Sequence, residues 1–124
     1  MKLSAEEKSN LIKISSELLK NRGAPSNKQI RKYASLAMQA DCYDEFENYM
    51  KYQIGRTKKK KENELKKENE LQFLNKVLQE VMEIKKSEPD HSKCLLKIAY
   101  LFGVMAREKQ YRENKENLKE GNRR

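Results

Sequence analysis

Lys28, Arg31 and Lys32 lie within one helical turn of each other, and Arg56 follows Gly55 directly ahead of the lysine run 58–61. These residue types at this spacing suit phosphate. Arginine holds a phosphate through a planar, bidentate fork, and lysine meets it as a point charge. Lys51 stands about a turn before Arg56. The candidate phosphate-contacting set is therefore Lys28, Arg31, Lys32, Lys51, Arg56, Lys58 and Lys59. For any one lysine the plain alternative is a solvated helix face. For Arg56 it is complementation of a helix C-terminus.

Other chemistry finds little to work with. His91 and Cys94 are one turn apart, but a closed zinc site takes four ligands, and the chain has one His and two Cys. Cys94 reads better as a small hydrophobe at the edge of an apolar face. A nucleophile–histidine pair would need His91, which falls in a helix-start turn with no nucleophile placed beside it. The carboxylates are many, yet none lies in an apolar setting that would perturb it. The glycines are scattered and form no phosphate loop. We expect no catalytic residue, no metal and no cofactor. Tyr33, Tyr43, Tyr49 and Tyr52 are interleaved with the charges. Tyr33 and Tyr43 fall on apolar faces, leaving Tyr49 and Tyr52 as candidates for base stacking.

The composition agrees with a polyanion partner. The chain has 124 residues and a formal net charge of +9, from 28 Lys and Arg against 19 Asp and Glu. A basic balance favours nucleic acid. The length predicts one domain with a modest core. The opening MKLSAEEKSN has no apolar stretch of a secretory signal, and no run is long enough to span a membrane. Two cysteines without a leader predict reduced thiols and a cytoplasmic protein.

The elements that must position these groups are helices. The first is expected from about Ser4 to Asn21, with Ser4 and Glu7 as a capping box and an apolar stripe through Leu11, Ile14 or Ser15, Leu18 and Leu19. Gly23 and Pro25 break it. The second runs from Ser26 to Ala40, with a second capping box at Ser26 and Gln29. Its apolar face is Ile30, Tyr33, Ala34, Ala37 and Met38. Asp41 is expected to cap a third helix, Cys42 to Ile54, with Gly55 ending it. Residues 57–63 read as a mobile lysine-rich linker, unstructured around Lys58–Lys61. A fourth helix is expected over Glu64–Lys86, on Leu71, Leu74, Val77, Leu78, Val81 and Ile84. Ser87 would cap a fifth, with Pro89 in its first turn. The fifth runs from about Asp90 to Arg107, is the most broadly apolar and should be central. The expected fold is all-α: a compact bundle of about five helices. It would occupy residues 1–107 as one domain, with the linker inside it and a polar tail, 108–124, as frayed helix or disordered chain.

These landmarks, in this order, resemble those of the small subunit of type III-A CRISPR effector complexes, the Csm-type interference complexes. The resemblance rests on Ser26…Ile30-Arg31, on Tyr52-Gln53-Ile54-Gly55-Arg56, on an amphipathic helix over Phe73–Ile84, and on Ile98-Ala99-Tyr100. It covers about residues 26–106. The chain departs from the pattern in its lysine-rich segment after Gly55-Arg56. It also has Lys97 and Ile98 where an acidic residue usually precedes the Ala-Tyr element. The resemblance implies an all-helical, non-enzymatic subunit of an antiviral ribonucleoprotein. Several copies of it would stack beside the backbone and large subunits and line the channel that holds guide RNA and target RNA. Contact would be independent of base sequence, and nuclease and cyclase activities would belong to other subunits. Arg31 and Arg56 match the family's motif arginines. Lys28, Lys32, Lys51, Lys58 and Lys59 join them as candidate RNA-binding residues on placement alone. No membrane and no small-molecule substrate is expected.

Two other classes fit the same residues. A helical protein–protein adaptor would use its charges only for solvation and would bind with weak salt dependence. A small helix-turn-helix regulator would use the corner at Ala40-Asp41 and read bases with Gln29, Arg31 and Lys32.

Overall fold

The computed structural model describes residues 2–61 and 63–122, with side chains through Lys115. Five helices follow one another: α1 Ala5–Leu18, α2 Asn27–Gln39, α3 Tyr43–Lys59, α4 Glu64–Ser87 and α5 His91–Asn122. No strand occurs among the described residues. None of the described helices is long and apolar enough to cross a membrane.

α5 is the spine. It packs most heavily on α2 and α1 and also touches α3 and α4, while α3 pairs with α4. The sequence explains this. Cys94, Leu95, Ile98, Ala99, Leu101, Phe102, Met105 and Ala106 surround most of its circumference and are all buried. A helix apolar over that much of its surface needs neighbours on several sides. Phe102 is the hub, with its ring centroid 5.2 Å from that of Tyr33 and 5.9 Å from that of Phe46. Tyr33 and Tyr43 are core residues, as expected from their faces.

Local signals set the helix starts. Ser4 Oγ accepts from the Glu7 backbone at 3.1 Å, and Glu7 Oε1 accepts from the Ser4 backbone at 2.9 Å, closing the capping box. Ser26 Oγ accepts from the Gln29 backbone at 3.2 Å. Gly23 turns the chain between α1 and α2 with φ +103°, where a side chain would be strained. A Cβ there would also overlap the Asn69 carbonyl, so this loop lies backbone against backbone on α4.

Several boundaries differ from expectation. α3 does not stop at Ile54; Gly55 is inside it and the helix continues to Lys59. Thr57 is the reason. It is buried, extends the stripe of Phe46, Met50 and Ile54 by a turn, and donates its hydroxyl to the Gln53 carbonyl at 2.9 Å. Arg56, Lys58 and Lys59 then complement the negative end of the helix. The expected unstructured stretch is thus helical through Lys59, and Glu62 of the expected linker lies outside the described residues. Asp41 does not cap α3. Cys42 is the N-cap and makes no side-chain bond; the Tyr43 N–H instead donates to His91 Nδ1 at 3.0 Å. Ser87 does not cap α5 but ends α4, donating its hydroxyl to the Ile84 carbonyl. Asp90 accepts from the Lys93 N–H at 2.9 Å in its place, which leaves Pro89 in the connection. Met38 is off the buried face at 64% exposure, because burial on α2 narrows to Ile30, Tyr33 and Ala37. α5 continues well past Arg107. Gln110 accepts from Arg31 at 3.0 Å, and Arg112 reaches the Ser16 carbonyl at 3.5 Å, so packing extends into the expected tail. Arg123 and Arg124 lie outside the described residues.

Candidate nucleic-acid interface

Two stretches of the chain contain no acidic residue at all, Leu18–Ala40 and Asn48–Lys61. The first contains α2, and the second ends α3. Six of the seven candidate cations make no ion pair among the described residues, and all seven are exposed. Lys28, Lys32, Lys58 and Lys59 carry their charges into solvent. Arg31 bonds only the neutral Gln110 amide. Arg56 lies over the Tyr52 ring at 5.7 Å, a cation–π contact that leaves its charge in place. Tyr52 itself is 59% exposed, whereas Tyr49 is half-buried and edge-on to Tyr33.

Lys51 is the exception. It pairs with Glu47 at 3.1 Å, and Glu47 also accepts from the Tyr43 hydroxyl at 2.9 Å. The Tyr43 bond, helped by Lys51, holds the Glu47 carboxyl below its usual range. Lys51 is therefore neutralised within its own helix.

Elsewhere the cations do structural work. Lys93 and Lys97 on α5 both meet Glu7 of α1 at 3.3 Å, and Lys97 meets Glu88 at 3.4 Å. Glu7 is pulled down to about 2, first by the Ser4 backbone N–H and then by the two lysines, against some desolvation. Lys109 and Arg112 pair with Glu113 and Glu108 one turn away. The basic excess is thus sorted: paired cations tie α1 to α5, and unpaired ones collect on α2 and at the end of α3.

The two motif arginines do not share a cavity. Arg31 borders an open, largely apolar groove of about 580 Å³ between α2 and α5, together with Met38, Tyr100 and Arg107. Arg56 lines a cavity of about 480 Å³ enclosed by the Gly23–Ser26 loop, the start of α2, the end of α3 and the start of α4. Lys60 and Lys66 line that cavity too, and sequence reasoning did not single them out. The signal available was the rest of the lysine run. It shows its meaning only when α3 and α4 fold back on each other.

His91 is exposed and spends its Nδ1 lone pair on the Tyr43 N–H; Cys94 is buried, and that burial pushes its thiol up. No group of three His, Cys, Asp or Glu side chains gathers in metal-binding geometry among the described residues. Comparison with protein-family models, with curated proteins and with solved structures returned no match.

Proposed function

We propose that the chain is a non-catalytic, RNA-binding small subunit of a type III CRISPR ribonucleoprotein. In this reading several copies stack inside the complex and contact the guide–target RNA backbone through basic helix faces. The observation that carries it is the sorting of charge. α2 and the last turns of α3 are free of acidic residues, and Lys28, Lys32, Lys58 and Lys59 make no ion pair among the described residues. Cations on rigid helices meet phosphates and release counterions, which gives affinity without base reading. The order of landmarks from Ser26 to Tyr100 supplies the ribonucleoprotein setting. Exposed Tyr52, beside Arg56, adds a surface on which a base can stack.

The groove between α2 and α5 favours a second reading. Its apolar lining and exposed Met38 suit a protein partner. A helical adaptor working there would bind with little salt dependence. Affinity purification of the tagged chain from its native host separates the two. Discrete short RNAs with a fixed set of larger proteins support the RNA reading. A single protein partner with no RNA sinks it in favour of the adaptor.

A further inference from the structure

The cavity that holds Arg56 differs from the open basic faces. It is walled by four segments of the chain, and three cations reach it: Arg56 and Lys60 from α3 and Lys66 from α4. One carboxylate answers them. Glu70 is mostly buried, and Lys60 meets it at 3.2 Å. The lining therefore carries more positive charge than negative in a partly enclosed space, where charge acts more strongly than on an open face. The wall opposite the cations is different in kind. Tyr33 and the side chains of Gln29 and Gln53 present an aromatic edge and amide groups. Amides offer both a donor and an acceptor, so they suit the polar edge of a base. The volume, about 480 Å³, falls in the range of small-ligand sites. The rim is fixed because Gly23 lets the loop lie directly on the α4 backbone.

We propose that this cavity seats a single nucleotide, its phosphate between Arg56 and Lys66 and its base toward Gln29 and Gln53. The site deepens the RNA reading and rests on it only for the source of the nucleotide, an RNA chain rather than a free mononucleotide. The backbone faces described above take phosphates in passing. This cavity takes one residue of the strand out of register with them.

NMR titration of the full chain with AMP, adenosine and inorganic phosphate tests the assignment. AMP should move the backbone amides of Gln29, Arg56 and Lys66 saturably, with adenosine and phosphate each at least tenfold weaker. Arg56→Gln combined with Lys66→Gln should weaken AMP binding tenfold or more. Glu70→Gln should tighten it several-fold, a gain that misfolding cannot produce. Adenosine binding as well as AMP, or shifts confined to the α2–α5 groove, overturns the site. Phosphate binding as tightly as AMP overturns the nucleotide assignment. A single-stranded RNA oligomer then separates the two proposals. RNA bound equally by the wild type and the double variant overturns the cavity and leaves the RNA reading standing. AMP seated in the cavity with no RNA bound at any length keeps the cavity and overturns the RNA reading.

Discussion

Glu7 shows how one side chain can serve two levels of structure. One oxygen closes the α1 capping box and the other meets Lys93 and Lys97 on α5. Its carboxyl falls from 4.5 to about 2 in the fold. A carboxyl depressed in the folded state stabilises the protein above its unfolded value. That contribution fades as pH drops from about 4.5 toward 2. Glu7→Gln should therefore melt below the wild type at neutral pH, and the gap should close on acidification through that window. Melting temperatures recorded for both proteins from neutral to acid pH check this; a gap that stays constant would place the effect in packing alone. His91 makes a comparable case by a neutral bond. It accepts from the first N–H of α3, a donor with no partner inside its own helix. His91→Ala should cost about 1 kcal/mol in chemical denaturation, the worth of one such bond. An unchanged midpoint would mean that water replaces the imidazole at no cost.

At the level of elements, the loop between α1 and α2 is the tightest joint. Gly23→Ala meets two penalties, a positive φ and an overlap with the Asn69 carbonyl. It should destabilise the fold by more than about 1 kcal/mol, read from urea unfolding. Gly55→Ala is the control. Gly55 sits inside α3 with open space where a Cβ would go, so alanine there should stabilise by up to about 1 kcal/mol. The pair also marks what sequence could and could not tell. Five helices, the Ser4–Glu7 box and the centrality of α5 follow from period and capping, which are local. Gly55 looked like a helix end because glycine followed by lysines is a common stop. Thr57 overruled it through a burial that only α4 provides. The same folding back brings Lys60 and Lys66 to one cavity, while Arg31 and Arg56, paired by motif, line separate ones. Periodicity gives a face; it does not say which other face it will meet.

For the whole molecule, the net charge of +9 is less informative than its pairing. A cation already held by a carboxylate must break that pair before it helps a phosphate, so it contributes little to counterion release. Lys51 is such a cation, paired with Glu47, while Lys58 and Lys59 make no ion pair among the described residues. All three stand on one helix within a few turns, which makes them a controlled comparison. If the RNA reading holds, affinity for a labelled single-stranded RNA should fall steeply from about 50 to about 200 mM salt. Each lost phosphate contact should flatten the logarithmic slope by about 0.7. Lys58→Ala with Lys59→Ala should then flatten it by about 1.4 and weaken binding at low salt. Lys51→Ala should leave the slope unchanged, and because it frees the Glu47 charge it should weaken binding only slightly. Fluorescence anisotropy across a salt series measures all three proteins in one format. If Lys51→Ala flattens the slope as much as either distal lysine does, charge at this surface acts as a diffuse field. The pairing pattern would then carry no information about where RNA lies.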